Sequence, residues 1–171
     1  MVLGAVLATP FAPRPAGAAG SGGNGAHRIR EGRRPLPDFT FLEADGTSRS
    51  AKDFQGKALL INLWATWCPP CVAEMPALDR AAGILAPEGF SVLPLSSDRG
   101  GANQVRGFYE RTQVKNLPVV LDPRGAAARA FGARGLPTTI IVSKAGEEVA
   151  RAEGEAEWDD AQILAILRRL A

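Results

Sequence analysis

This chain is poor in the residues that bind soft metals: it has two cysteines and one histidine in 171 residues. A structural zinc site takes four ligands, drawn mainly from Cys and His. His27 lies far from both cysteines, in a Gly/Ala-rich stretch, so no zinc ligand set can be assembled. Aromatic residues make up only 6% of the chain, and 20 basic residues nearly balance 18 acidic ones. No basic stripe with interleaved aromatics runs through the body, which argues against nucleic acid as a partner. Long apolar runs are also missing. Met1 to Ala8 is the start of one, but it is too short to span a bilayer, and Pro10, Pro13 and Pro15 interrupt the residues after it. There is no internal repeat, and the length suits a single domain with a full core.

What charge there is falls unevenly. Residues 1–35 carry Arg14, Arg28, Arg30, Arg33 and Arg34 against Glu31 alone, a net +4. The remainder is slightly acidic, with a net −2. Ala16-Gly17-Ala18 fits a small-residue cleavage site, so residues 1–18 are expected to be the remnant of a signal peptide that exports the protein to the periplasm. No Lys or Arg precedes Arg14, which leaves open an upstream start, with membrane tethering, or a simple Ala/Gly/Pro-rich tail. Residues 19–35 show no apolar periodicity and are read as a flexible leader. The folded domain is expected over residues 36–171.

Both cysteines fall in one short stretch, Trp67-Cys68-Pro69-Pro70-Cys71, after the apolar run Ala58 to Trp64. Met75, Leu78, Ala82 and Leu85 come next at helical spacing, so the pair lies where a strand passes into a helix. A thiol at a helix N-terminus feels the positive end of the helix dipole, which favours thiolate. Thiolate is the nucleophile in disulfide exchange. Two intervening prolines suit a first helical turn, where a missing N–H costs nothing. A static structural disulfide usually closes a longer loop, because short loops gain less stability. The chemistry points to a reversible dithiol–disulfide couple.

Elsewhere the pattern alternates. Phe39 to Leu42 is strand-like, and Asp45-Gly46 signals a hairpin turn. Ser50 with Asp53 resembles a capping box over one short turn. Ala58 to Trp64 reads as a buried central strand, followed by the cysteine helix with a kink expected at Pro76. Strands are expected at Phe90–Leu95, Val119–Leu121, Thr138–Val142 and Glu148–Ala152. Helices are expected at Gly101–Arg111, Ala126–Phe131 and Trp158–Leu170, the last with Ile163, Ile166 and Leu167 on one face. Alternating strands and helices predict an α/β fold with a mostly parallel sheet covered on both faces, to which the last hairpin adds antiparallel strands.

Several stretches together resemble the thioredoxin fold, and within it the TlpA/ResA-like thiol–disulfide oxidoreductases of bacteria. They are Pro37-Asp38-Phe39-Thr40, the run from Leu60 to Cys71, Glu74-Met75-Pro76, Gly135-Leu136-Pro137-Thr138 and Gly154 to Trp158. The resemblance covers Leu36 to the C-terminus and implies a thioredoxin-like fold: a central mixed sheet flanked by helices, with an N-terminal β-hairpin extension. It further implies that Cys68 is the exposed attacking thiol and Cys71 the buried resolving thiol. Pro137 would be cis beside the disulfide, with the Leu136 backbone receiving a substrate strand; residue by residue, the alternative is an ordinary loop proline in a trans bond. Trp67 would cover the cysteine ring or join the core, and Pro69 and Pro70 would contact the substrate. Asn62 stands where thioredoxins carry a buried Asp, and an amide cannot take a proton at ordinary pH. Acid/base help must then come from water or another group. Asp98 and Glu74 are the candidates, the first weighed against a loop or helix-cap role and the second read as a solvated surface carboxylate.

What the resemblance implies about function is reduction of disulfides in partner proteins, of the kind that serves assembly of cytochrome oxidase or c-type cytochromes. No cofactor is expected. The expected partners are proteins with exposed cysteines or disulfides and a membrane thiol–disulfide electron donor, acting on a monomer. A disulfide-inserting oxidant is the main rival, although strong oxidants often place a His between the cysteines. A peroxidase normally sets its nucleophile in a Thr-x-x-Cys frame, whereas Thr66 is only two residues before Cys68. A copper carrier would want a His ligand, which the body lacks.

Overall fold

A computed structural model describes Gly23 and residues 25–171; the expected signal segment 1–18 and the first part of the leader lie outside the described residues. The strands are β1 (Ile29–Pro35), β2 (Thr40–Glu43), β3 (Ser48–Ser50), β4 (Ala58–Trp64), β5 (Phe90–Ser96), β6 (Val120–Leu121), β7 (Thr138–Val142) and β8 (Glu147–Glu153). The helices are α1 (Pro69–Leu85), α2 (Gly101–Thr112), α3 (Ala126–Ala130) and α4 (Ala161–Leu170). All eight strands form one sheet in the order β1-β8-β7-β4-β5-β6-β2-β3.

The sheet is mixed, as expected, but its parallel share is small. Among the described residues, only β4–β5 and β5–β6 run parallel. The reason is that the β2–β3 hairpin closes one end, while toward the other β7 returns antiparallel along β4 and both β7 and β1 pair antiparallel with β8. A second correction concerns the leader. Its residues 29–35 are not flexible chain but strand β1, paired antiparallel with β8 from Ile29↔Ala152 to Pro35↔Glu147. Periodicity missed it because the strand is exposed from Arg30 to Pro35 and buries no apolar face. Backbone pairing is the main hold on such an edge strand, with Ile29 packed against the core at its start.

The core follows from strand alternation. On β4, Leu60 and Trp64 face α1, α2 and α4, while Leu59, Ile61 and Leu63 face the other side. The first layer includes Met75, Leu78, Phe108, Ile163 and Leu167. The second is closed by Phe39 and Phe41 of the hairpin region with Ala127 and Phe131. Truncating a fully buried residue such as Leu60 to Ala would cost about 2–5 kcal/mol. The alternation also sends Asn62 to the α1 side, into the layer that carries the cysteine helix.

Helix α1 begins at Pro69 and continues through Pro76 to Leu85. Asp79 on this helix accepts from the Lys115 and Asn116 N–H groups at 3.0 and 2.6 Å and so holds the turn after α2. Helix α4 starts at Ala161 and not at Trp158. Asp160 caps it, accepting from Gln162 N–H at 2.8 Å and Ile163 N–H at 3.3 Å. Its buried face is Ile163, Leu164 and Leu167, with Ile166 only half-buried. That leaves Trp158 in the segment before the helix, free to point elsewhere.

Candidate active site

Strand β4 ends at Trp64, whose buried indole stacks on Tyr109 with ring centroids 6.0 Å apart and planes at 8°. The chain then turns through Ala65, Thr66 and Trp67, and Cys68 N–H closes the turn on the Ala65 carbonyl at 3.2 Å. Cys68 is the N-cap of α1, with Pro69 and Pro70 in the first turn. Cys68 and Cys71 are joined by a disulfide, their Cα atoms 5.3 Å apart. The N-cap position puts the Cys68 sulfur at the positive end of the helix, where a thiolate is stabilised on reduction.

Accessibility is asymmetric but less open than expected. Cys71 is fully buried, whereas Cys68 keeps 5% of its surface. Cys68 is therefore not an exposed residue in the oxidised state, because the closed ring draws its sulfur toward Cys71. The rim is more open. Trp67 is 67% exposed, which rules out the core-aromatic reading. Pro69 is exposed and Pro70 half-buried. Leu136, half-buried, packs against the apolar cluster that contains both cysteines, and the Leu136–Pro137 bond is cis.

Glu74 departs most from expectation. The surface reading fails: its side chain lies under α1, 3% exposed. Glu74 Oε1 accepts from Asn62 Nδ2 at 2.8 Å, and Oε2 accepts from Trp158 Nε1 at 2.8 Å and Ala156 N–H at 3.1 Å. Burial pushes its carboxyl up from 4.5 to about 7, against those three hydrogen bonds, which favour the charged form. Asn62 also donates to Thr139 Oγ1 at 2.9 Å, and its own Oδ1 has no partner among the described residues. Turned over, the same amide would offer that oxygen to a protonated Glu74. The cage thus suits either charge state, one helical turn from Cys71.

Asp98 is fully buried and tied down differently. Oδ2 accepts from Thr66 N–H at 2.9 Å and from Ser96 Oγ at 2.7 Å. Oδ1 accepts from Thr66 Oγ1 at 2.8 Å and Gln104 Nε2 at 2.9 Å. It is not the N-cap of α2, a position held by Gly100. Its bonds run to the turn that presents Trp67 and Cys68.

Sequence reasoning missed Thr139, Ala156 and Trp158 as parts of the Glu74 cage. A signal was present. Cys71, Glu74, Met75, Leu78, Ala82 and Leu85 share one helical stripe, and all six are buried. Among the described residues, no three His, Cys, Asp or Glu side chains group where a metal could be held.

Comparisons with known proteins agree with this geometry. The family model described as Redoxin matches residues 31–167. The thiol-disulfide oxidoreductase ResA of Bacillus thuringiensis subsp. konkukian is 30% identical over 122 residues, 71% of this chain and 69% of that protein. The thioredoxin-like protein YneN of Bacillus subtilis is 34% identical over 119 residues, 69% of this chain and 68% of that one. Among solved structures, the exposed lipoprotein thioredoxin Etrx1 of Streptococcus pneumoniae superposes with a TM-score of 0.61 at 28% identity, covering 76% of this chain and 99% of that one.

Proposed function

Because this chain belongs to the redoxin family and is a thiol–disulfide oxidoreductase of the thioredoxin type, we propose that it works as a reductant of disulfides in partner proteins in the periplasm. The cytochrome oxidase or c-type cytochrome assembly role is the finer form of that reading. The observation that carries it is the position of Cys68 at the N-cap of α1, with the helix terminus as its main source of thiolate stabilisation. Proline occupies both intervening positions, so no His stands between the cysteines to stabilise the thiolate further. A modestly stabilised thiolate makes the dithiol the better reductant. The likeness to an exposed lipoprotein thioredoxin supports a site of action outside the cytoplasm. A membrane dithiol donor would restore the reduced form.

In the forward reaction the Cys68 thiolate attacks one sulfur of a partner disulfide. A mixed disulfide forms, and the other partner sulfur leaves as a thiolate. Cys71 then loses its proton and attacks the Cys68 sulfur. The second partner thiolate is expelled, and the Cys68–Cys71 disulfide closes. Two electrons pass to the partner. Trp67, Pro69, Pro70, Leu136 and Pro137 form the apolar rim that receives the partner chain. Of the two candidate acid/base carboxylates, Glu74 is the acceptor for the Cys71 proton, since it is buried one turn away and titrates near 7. Asp98 is a positioning residue for the Thr66–Trp67 turn.

Two measurements test the reading. Cys71→Ser should trap partners as mixed disulfides on Cys68, while Cys68→Ser should trap almost none. The equilibrium potential of the couple should lie near the roughly −270 mV of thioredoxin, whereas a value above roughly −150 mV, toward the −120 mV of a strong oxidant, would overturn the reductant assignment.

A further inference from the structure

Strand β1 brings an unbalanced row of arginines alongside β8 at the edge of the sheet. Arg30 is directly opposite Arg151, and Arg34 is directly opposite Glu148. Residues directly opposite share one face of the sheet, and like charges so placed repel. The acidic groups nearby are already committed. Glu148, 3% exposed at the side chain, takes both Arg151 Nε and Nη2, at 2.7 and 2.9 Å. Glu153 takes Arg134 Nη2 at 3.1 Å through both oxygens. Glu31 points to Arg169 at 2.5 Å, and Arg33 to Glu147 at 2.8 Å. Among the described residues, neither Arg30 nor Arg34 has an ion pair or a side-chain hydrogen bond.

Arg30, Arg34, Arg134, Glu148, Arg151 and Glu153 line a recess of about 530 Å³. Two of its lining residues neighbour the proposed partner-binding rim in chain or strand register. Arg134 is two residues before Leu136, and Glu153 is directly opposite Thr138, the residue after cis Pro137. The recess therefore continues away from the rim along the β1–β8 edge with two guanidinium groups unmatched.

We infer that this recess is a docking surface for an acidic segment of the partner protein, whose Asp or Glu carboxylates pair with Arg30 and Arg34 while its disulfide lies at Cys68. Charge complementarity selects the occupant. A bidentate carboxylate fits the guanidinium fork and relieves the Arg30–Arg151 repulsion. The inference rests on the reading that proteins are the substrates, and it adds which of them are preferred.

The test uses the full chain and two fluorescein-labelled peptides without cysteine, one carrying a run of Asp and Glu and its counterpart carrying Asn and Gln. Anisotropy at low salt should show the acidic peptide binding about tenfold more tightly, from two exposed ion pairs. The preference should vanish in the Arg30→Gln/Arg34→Gln variant and in about 1 M salt, where screening reaches only about 3 Å. Lys52→Gln/Lys57→Gln, the same charge change at a separate recess, should keep it. Equal binding of both peptides by the unaltered chain would overturn the inference, as would equal loss in the lysine variant. Exchange with a neutral disulfide peptide is read separately. If that exchange is absent while the acidic preference persists, the reductant reading fails and the docking surface stands.

Discussion

Asp98 and Glu74 are both buried carboxylates beside the segment that carries the cysteines, yet they sit in opposite kinds of surroundings. Asp98 is met by short, polar donors from three neighbouring segments: Thr66, Ser96 and Gln104. Glu74 is met by one amide, one indole and one backbone N–H in a layer that is otherwise apolar. The first arrangement fixes a turn. In the second, desolvation outweighs the three hydrogen bonds, so that a proton is gained or lost close to neutral pH. Burial of a carboxylate is therefore not in itself a sign of proton transfer; the balance of its partners decides.

The largest expected effect comes from breaking the fixed side of this pair. Asp98→Ala leaves the Thr66 N–H and hydroxyl, the Ser96 hydroxyl and the Gln104 amide to find new partners. It should cost about 4 kcal/mol of stability, read by chemical denaturation, because stranding buried donors costs about 1–3 kcal/mol each and some will recover water. A loss below about 1 kcal/mol would show that the turn holds itself.

The titrating side should show in the pH dependence of stability. Folded Glu74 titrates near 7 and its ordinary value is 4.5, so between those values the folded protein holds a proton that the unfolded chain has released. This group's contribution is fully present below about 4.5, declines as pH rises, and reaches its minimum above 7. The span is on the order of 3 kcal/mol. Subtracting the Glu74→Gln stability curve from that of the unaltered protein should isolate this decline. A flat difference would remove Glu74 from the titrating role.

A smaller change should sharpen the balance without abolishing it. Trp158→Phe deletes the indole N–H that favours the charged form of Glu74. The carboxyl should titrate above its present value, extending the decline to higher pH, and stability should fall by about 2 kcal/mol. A shift toward lower pH would contradict the account.

Much of the fold was legible in the sequence, and the misses share physical causes. The strands β4, β5 and β7 announce themselves as apolar runs because both faces are covered. Strand β1 does not, since its exposed residues leave no pattern and it is held by backbone pairing to β8. The cysteines, their helix and the X–Pro bond at Pro137 were readable from local motifs. The Glu74 cage was not, because it joins Asn62, Ala156 and Trp158 across 12 to 84 residues of chain. Trp158 looked like a helix residue until Asp160 capped α4 after it. The polar stripe position of Glu74 was the one local clue.

The central claim is that Glu74 takes the Cys71 proton, and the closing step of exchange tests it most directly. Reduced protein is mixed with a chromogenic aromatic disulfide over a range of pH. The first phase is attack by Cys68, which releases one coloured thiolate, and the second is closure by Cys71, which releases the other. The second phase should rise through a step near pH 7. In Glu74→Gln that step should disappear and closure at neutral pH should slow by about 10²-fold, the usual contribution of a positioned base, while the first phase stays unchanged. An unaltered second-phase profile in Glu74→Gln would contradict the account.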